Sequence, residues 1–203
     1  KLFHDKRLSK DNTVSCASCH GLNTGGVDRL PRSKGVGGAE GGVNSPTVFN
    51  SSFNFVQFWD GRAKDLHEQA GGPVMNPVEM ASSNWDEVIA KLKADPEYVE
   101  KFAKLYTDGM TGNNIQAAIA TFEKTLITPN SRFDKYLKGD KASLTQEELK
   151  GWELFQGYSC TTCHNGINIG GNSFQKFGLV KDYLTDVRGN VTENDFGRFN
   201  VTK

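Results

Sequence analysis

The sequence predicts an all-α chain of two small domains, joined by a linker and interrupted by long irregular loops. Apolar residues recur at helical spacing along much of the chain, whereas alternating strand patterns are scarce. A Cys-x-x-Cys-His motif occurs once towards each end. A chain of 203 residues suits one large domain or two small ones, and the duplicated motif favours two.

The two copies of the motif read Cys16-Ala17-Ser18-Cys19-His20 and Cys160-Thr161-Thr162-Cys163-His164. This is the attachment signature of c-type haem. Two thiols one helical turn apart add to the two vinyl groups of a haem, and the adjacent histidine ligates its iron. The sequence therefore predicts two covalently bound haem c groups, with these cysteines as attachment points and His20 and His164 as iron ligands.

Three other uses of the cysteines are weaker interpretations. Structural zinc usually takes ligand pairs that lie much closer in sequence than these two. A thioredoxin-like redox pair needs a βαβ context, and the sequence shows none. Two disulfides would leave the histidine after each cysteine pair as a coincidence.

The second motif follows a helix that resembles the first helix of a cytochrome c fold. Thr145 and Glu148 form a capping box, and three apolar residues follow at helical spacing: Leu149, Trp152 and Phe155. Only Leu2-Phe3 remains of this pattern before the first motif, so we expect the first helix to lack its beginning. We predict two cytochrome c-like haem domains, at 1–138 and 139–203, with a linker over 138–143.

Five further helices are predicted between the motifs. The helix predicted at 63–70 is expected to end at Gly71-Gly72-Pro73. The longest helix is expected to begin at Asn114, with an apolar stripe that faces the core. The predicted ranges are 63–70, 85–94 behind Asn84, 96–106 behind Asp95, one from Asn114, and 133–137.

Residues 21–47 are predicted to be a loop. They contain eight glycines together with Pro31 and Pro46, so we expect no regular element there. Such a loop is either a mobile lid or a surface connection. Its position directly after the first haem motif favours a lid.

Charge and hydropathy do not point to a nucleic acid or a membrane as partner. Lys plus Arg equals Asp plus Glu, at 24 each, so the net charge gives no attraction to a nucleic acid or to an anionic membrane. No apolar run approaches the length of a membrane span.

Several stretches outside the haem motifs carry a family resemblance. They are Gly26-Val27-Asp28, Asn44-x-Pro46-Thr47, Phe58-Trp59-Asp60-Gly61-Arg62-Ala63-Lys64-Asp65-Leu66, Glu68-Gln69-Ala70, Gly72-Pro73-Val74, Val78-Glu79-Met80, Thr125-Leu126-Ile127-Thr128-Pro129, Phe133-Asp134-x-Tyr136-Leu137-Lys138-Gly139 and Gly197-Arg198-Phe199. With the two motifs, they make essentially the whole chain similar to the bacterial di-haem cytochrome c peroxidases.

The resemblance implies a periplasmic enzyme that reduces hydrogen peroxide to water. Electrons come from a small cytochrome c or a cupredoxin, and a homodimer is one assembly that the resemblance allows. The first-motif haem would be the peroxidatic centre and the second-motif haem the high-potential entry point for electrons. Ca²⁺ would lie between the domains.

The resemblance also implies roles for four residues. Glu79 matches the catalytic acid/base, Gln69 the pocket amide, and Trp59 the tryptophan between the two haems. Asn44 matches a ligand of the Ca²⁺. By itself, Glu79 would be interpreted as a solvated loop carboxylate and Trp59 as a packed core indole.

Two departures from the family pattern matter. Val36 occupies the loop position where the family commonly carries a distal histidine, so we expect the first iron to lack a second histidine; Lys34 of the same loop is a competing ligand. Only 39 residues follow His164, and none is Met or His. We therefore expect the methionine ligand of the second haem to lie further on, in a C-terminal part that is either missing or disordered.

Two other functions stay open at this point. The chain could be a di-haem electron carrier without peroxidase activity, if both irons are six-coordinate. It could also be a di-haem enzyme that oxidises a protein substrate. A spectrum of the oxidised protein, which reports the coordination of each iron, separates a carrier from an enzyme.

Overall fold

The computed structural model describes residues 1–175 and 199–200, and these residues form a mostly helical structure. The α-helices are α1 (Cys16–Cys19), α2 (Leu66–Met75), α3 (Trp85–Lys93), α4 (Pro96–Leu105), α5 (Gly112–Glu123), α6 (Arg132–Leu137) and α7 (Gln146–Gly157). Short 3₁₀ turns lie at Leu2–His4, Lys6–Leu8, Leu22–Thr24, Val36–Gly38, Ser51–Phe53, Lys141–Ser143 and Cys160–Thr162. The predicted all-α class is confirmed.

The strand content of the described residues is one short antiparallel pair. β1 (Phe174–Gln175) pairs with β2 (Phe199–Asn200), so that Phe174 lies opposite Asn200. Of the closing stretch that resembled the peroxidases, Gly197 and Arg198 lie outside the described residues.

The core lies where α2 crosses α5 and where α3 and α4 pack beside them. Apolar side chains at helical spacing on each helix meet there and are removed from water. Within this cluster, the most deeply buried are Leu8, Val74, Val88, Leu92, Ile115 and Ile119. This cluster forms one side of the first haem motif, because Cys16 packs against it.

The predicted helix starts agree with the structure at three positions. Asn84 accepts a hydrogen bond from the Glu87 amide and caps α3. Asp95 caps α4, which has Pro96 at its first position. Thr145 begins α7 with the predicted capping box. These starts depend on side chains within three residues of each helix, so local sequence sufficed to place them.

The predicted end of the first helix was wrong. The sequence placed it at 63–70, but α2 runs from Leu66 to Met75 and contains Pro73. Proline inside a helix removes one hydrogen bond and costs about 3 kcal/mol. The last turn nevertheless stays helical, because it carries Val74, only 1% exposed, into the core against α5.

The predicted start of the longest helix was wrong by two residues. Thr111, not Asn114, caps α5, and its hydroxyl accepts a hydrogen bond from the Asn114 amide at 3.1 Å. Asn114 is buried, and its side-chain amide donates to Asp108 Oδ1 at 2.7 Å. Both residue types are good caps, and the buried turn before α5 decided between them.

The predicted loop at 21–47 contains more structure than expected. Two 3₁₀ turns, Leu22–Thr24 and Val36–Gly38, interrupt it, and Lys34 and Glu40 form an isolated β-bridge. Two backbone hydrogen bonds close the bridge: the Gly35 amide donates to the Ala39 carbonyl oxygen at 2.8 Å, and the Gly41 amide donates to the Ser33 carbonyl oxygen at 2.9 Å. The glycines therefore permit a tight local turn rather than excluding one.

The predicted domain boundary at 138 stays a prediction. α6, which that boundary assigns to the first domain, packs against α7: Phe133 and Trp152 meet edge to face at 5.0 Å, and Arg132 pairs with Glu148. No helix among residues 1–175 and 199–200 combines the length and apolar character that crossing a bilayer requires.

Leu92→Ala should destabilise the protein, because Leu92 is fully buried between the helices and the substitution leaves a cavity. We expect a loss of about 2–5 kcal/mol in the free energy of unfolding, measured by chemical denaturation. The matched control is Leu105→Ala at the end of α4, where leucine is 72% exposed, and it should change stability by less than about 0.5 kcal/mol. Equal losses in the two variants would contradict the placement of the core.

Candidate haem site

The first Cys-x-x-Cys-His motif is held in one helical turn. Ser15 caps α1, and its backbone amide donates a return hydrogen bond to Ser18 Oγ at 3.0 Å. The His20 backbone amide donates to the Cys16 carbonyl oxygen at 2.9 Å. The turn brings both cysteines to one side of the chain with the histidine beside them, as two-point attachment of one haem requires.

The second motif repeats this geometry. The His164 backbone amide donates to the Cys160 carbonyl oxygen, again at 2.9 Å. Cys160–Thr162 forms a 3₁₀ turn, where the first motif has an α-helical turn. The same local fold therefore holds both motifs.

Both histidine rings are oriented by a backbone carbonyl that follows them in sequence. His20 Nδ1 lies 3.2 Å from the Gly26 carbonyl oxygen, and His164 Nδ1 lies 3.2 Å from that of Ile169. When Nδ1 carries the proton for this bond, Nε2 carries the lone pair that ligates a metal. This arrangement suits an iron ligand at both positions.

A cavity of about 1230 Å³, including its mouth, opens directly on the first motif. Cys16, Cys19 and His20 line it together with apolar side chains from α2, from α5 and from residues 58–59. These side chains include Leu66, Ala70, Val74, Ile119, Phe58 and Trp59. A mostly apolar lining with a few polar groups is what a cofactor site needs. The residues of the first motif fit a haem.

The chemistry of the thiols disfavours the other uses of the cysteines. Burial, and after it the charge of Glu123, raises the pKa of the Cys16 thiol to about 12. Burial also raises the pKa of Cys19. A redox-active cysteine needs a thiolate near neutral pH. Within residues 1–175 and 199–200, no three His, Cys, Asp or Glu side chains are grouped as a zinc site requires.

Glu79 lies in the wall of this cavity. Its Oε1 accepts a hydrogen bond from Asn76 Nδ2 at 2.6 Å, which orients the carboxylate. Burial raises the pKa of Glu79, and the positive charge of Arg62 and the Asn76 hydrogen bond oppose that rise. The carboxyl group is therefore poised to exchange a proton above the usual range of glutamate.

The structure brings the other predicted site residues to the same cavity. Gln69 lines it from α2, and Trp59 and Asn44 line it from the preceding loops. Trp59 Nε1 donates to the Asn44 carbonyl oxygen at 3.1 Å, so the indole and the loop are tied together. The roles of these residues, including Asn44 as a calcium ligand, stay predictions.

Val36 is held next to Glu79 through its backbone. Its amide donates to the Glu79 carbonyl oxygen at 2.8 Å, and its side chain, like that of Cys16, packs on the core. Gly35 allows this docking, because a Cβ there would collide with the Val78 and Glu79 carbonyls. Lys34, the competing ligand, pairs instead with Glu40.

Three residues at the cavity were not assigned a role from the sequence. Arg62 was in a recognised stretch, but its position opposite Glu79 had no local signal. Asn76 precedes Pro77, which suggested only a turn. Glu123 had a usable signal: it continues the spacing of Ile115 and Ile119 on α5, which places a carboxylate on the buried face.

Comparison with known proteins identifies the family. The sequence profile of the family described as "Di-haem cytochrome c peroxidase" matches residues 1–142. The chain belongs to this family. The resemblance read from the sequence is thereby confirmed, and membership of a di-haem family implies haem c as the cofactor.

Individual relatives agree with this membership. The chain is 57% identical over 202 residues to "Cytochrome c peroxidase Ccp" of Escherichia coli. This alignment covers 100% of this chain and 43% of that protein. It is 50% identical over 204 residues to "Cytochrome c551 peroxidase" of Nitrosomonas europaea, covering 96% of this chain and 60% of that protein. The chain thus spans about half the length of these relatives.

A solved structure shares the fold. It is titled "Crystal structure of a MauG-like protein associated with microbial copper homeostasis" and superposes with a TM-score of 0.80 at 28% identity. The match covers 99% of this chain and 66% of that one.

We expect the intact mass of the mature protein to exceed that of the polypeptide by two haems. The prediction rests on the matching geometry of the two motifs. Cys160→Ala with Cys163→Ala should reduce the excess to one haem, measured by mass spectrometry under denaturing conditions. Ser143→Ala is a control that should keep both. A mass that corresponds to bare disulfides would contradict covalent attachment.

Proposed function

We propose that this protein reduces hydrogen peroxide to water at the haem of the first motif, with electrons that arrive through the haem of the second. The observation that carries the proposal is the cavity on the first motif, whose wall holds a partly buried and oriented carboxylate, Glu79. An electron carrier needs no such cavity with an acid/base in its wall. This observation favours an enzyme.

The residues of the chain account for the proton transfer between the two oxygen atoms of hydrogen peroxide; the two further protons of the overall reaction come from solvent. Haem, when bound, supplies the iron and the electrons that cleave the peroxide O–O bond. Glu79, as a carboxylate, accepts a proton from hydrogen peroxide and returns it to the departing oxygen atom, which leaves as water. Asn76 holds Glu79 in one orientation throughout. Gln69 supplies an amide to the same cavity and can bind peroxide or water by hydrogen bonds.

Electron delivery is proposed to pass Trp59, between the two haems. Its indole lines the cavity of the first motif. The segment after the second motif contacts the same loop, because Phe174 packs against Gly61, two residues beyond Trp59. We assign the peroxidatic haem to residues 1–138 and the electron-entry haem to residues 139–203.

The proposal extends to the setting of the reaction. Covalent haem c and the family imply a periplasmic location, with a small cytochrome c or a cupredoxin as electron donor. Ca²⁺ with Asn44 as a ligand is proposed near the interface of the two domains. Oxidation of a protein substrate by a di-haem enzyme is the alternative to test. A relative named "Methylamine utilization protein MauG" is 35% identical over 88% of this chain, so the family is not limited to proteins named as peroxidases.

Glu79→Gln should lower peroxide turnover by about 10²–10⁴-fold, because glutamine keeps the size and polarity of glutamate but cannot cycle a proton. Steady-state kinetics with intact haem spectra is the measurement. Because burial raises the pKa of Glu79, wild-type kcat/KM should fall as the pH falls through a value above about 4.3, the ordinary glutamate pKa, and the variant should lose this limb.

Glu100→Gln, an exposed change on α4, is the control for this experiment and should keep the wild-type rate and pH profile. If Glu79→Gln keeps most of its activity, Glu79 is not the proton carrier. Gln69 and Glu123 would then be tested in the same way.

Val36→His should make turnover depend on prior reduction of the second haem. We expect a high-spin oxidised spectrum of the first haem in the wild type and activity without prior reduction. A histidine at 36 can ligate the iron, so peroxide would react only with molecules in which that ligand has left. Spectra and activity before and after one-electron reduction measure this.

The matched control is Val99→His, which places a histidine on the exposed face of α4 and should leave the spectrum unchanged. A wild-type protein that is low-spin and unreactive when oxidised would show that another residue caps the iron.

A further inference from the structure

The segment that follows the second haem motif docks on the segment that leads to Trp59. We call residues 165–174 the docking segment and residues 50–61 the anchor segment. The Phe55 amide donates to the Gly171 carbonyl oxygen at 2.9 Å, and the Phe55 and Phe174 rings meet edge to face at 5.0 Å. The two motifs, far apart in sequence, are joined through these contacts.

The centre of this contact is a pair of asparagines. Asn168 Nδ2 donates to Asn54 Oδ1 at 2.7 Å, and it also lies 3.4 Å from the Asn50 carbonyl oxygen. Gly171 makes the approach possible, because a Cβ at this position would collide with Asn54 Oδ1. We call the Asn54–Asn168 hydrogen bond the amide clasp.

On one side, the clasp is connected to the iron ligand of the second motif. Asn168 is followed by Ile169, whose carbonyl oxygen accepts the hydrogen bond that orients His164 at 3.2 Å. The Ile169 amide is held in turn by the Gly166 carbonyl oxygen at 3.1 Å. Fixing Asn168 therefore fixes the carbonyl that sets the orientation of the His164 ring.

On the other side, the clasp is connected to the cavity of the first motif. Within the anchor segment, Gln57 Nε2 donates to the Ser51 carbonyl oxygen at 2.9 Å, so the segment folds round Asn54. Ser51, Gln57, Phe58 and Trp59 all line the cavity. The clasp thus holds the wall that carries Trp59.

Asn54 is not explained by stability alone. The residue is 8% exposed, and its Nδ2 has no hydrogen-bond partner within residues 1–175 and 199–200. A buried donor without a partner destabilises the fold, and an apolar side chain of similar size would avoid that cost. The side-chain oxygen of Asn54 accepts the hydrogen bond from Asn168, which an apolar side chain could not do.

We propose that Asn54 and Asn168 are positioning residues that set the rate of electron transfer between the two haems. The clasp fixes the Trp59 segment relative to the segment that orients His164. In the step concerned, one electron leaves the iron held by His164, which is oxidised, and reduces the iron held by His20; no bond forms or breaks. The inference rests on two parts of the proposed function, the two bound haems and the electron path past Trp59, and it does not require peroxidase activity.

The test is a double-mutant cycle in the holoprotein with Asn54→Leu, Asn168→Leu and the pair. The rate of electron transfer between the haems is measured after rapid reduction of the second, together with both reduction potentials. Each single variant should slow electron transfer about tenfold, while the difference between the two haem reduction potentials stays unchanged. A tenfold effect lies within the range of interaction energies measured for residues in contact. The pair should lose no more than either single variant, because both act through one bond.

Three variants complete the experiment. Asn54→Asp keeps an acceptor oxygen opposite Asn168 and should recover most of the rate. Trp59→Phe is expected to slow transfer with the clasp intact. Thr128→Val removes the 2.7 Å hydrogen bond from Asn50 Nδ2, which lies beside the clasp but does not join the docking segment, and should change nothing.

Hydrogen exchange gives a second readout that needs no turnover. The Phe55 amide should lose protection in the two leucine variants and keep it in Thr128→Val. If Asn54→Leu fails to fold, Asn168→Leu carries the test, because Asn168 is only partly buried. Unchanged transfer in the single variants, or losses that add in the pair, would overturn the clasp. Absence of peroxidase activity would overturn only the proposed function.

Discussion

The packing of α2 against α5 is the interaction on which the rest of this structure depends. One face of the pair buries Ala70, Val74 and Ile119 in the core. The same two helices line the cavity beside the first haem motif, with Gln69 from α2 and Glu123 from α5. Because rigid, well-packed helices support the cavity wall, its polar groups keep fixed positions in an otherwise apolar space.

The electrostatics of the site follow from that apolar wall. Burial raises the pKa of Glu79, while the charge of Arg62 and the Asn76 hydrogen bond oppose the rise. Arg62 is itself held by Asp60 at 2.8 Å and lies over the Phe58 ring. A carboxylate that is oriented, partly desolvated and near a fixed cation is suited to moving a proton rather than to stabilising the fold.

The loop over the cavity shows how backbone contacts can decide the position of a side chain. Five glycines between 35 and 42 suggested a segment with no preferred structure. Instead, Gly35 lies against the Glu79 backbone, Val36 donates to the Glu79 carbonyl oxygen, and Lys34 is paired with Glu40. Val36 is therefore fixed against the core by the hydrogen bond of its amide to Glu79, which its sequence position alone did not indicate.

The sequence by itself determined the features that depend on neighbours along the chain. These are the two Cys-x-x-Cys-His turns, the caps at Asn84, Asp95 and Thr145, the helical class and the family. Tertiary structure decided the length of α2, the cap of α5, the placement of Arg62 near Glu79 and the docking of Asn168 on Asn54. In each of these cases contact with a segment distant in sequence decided the outcome, and at Pro73 the burial of α2 outweighed the local preference against a helix.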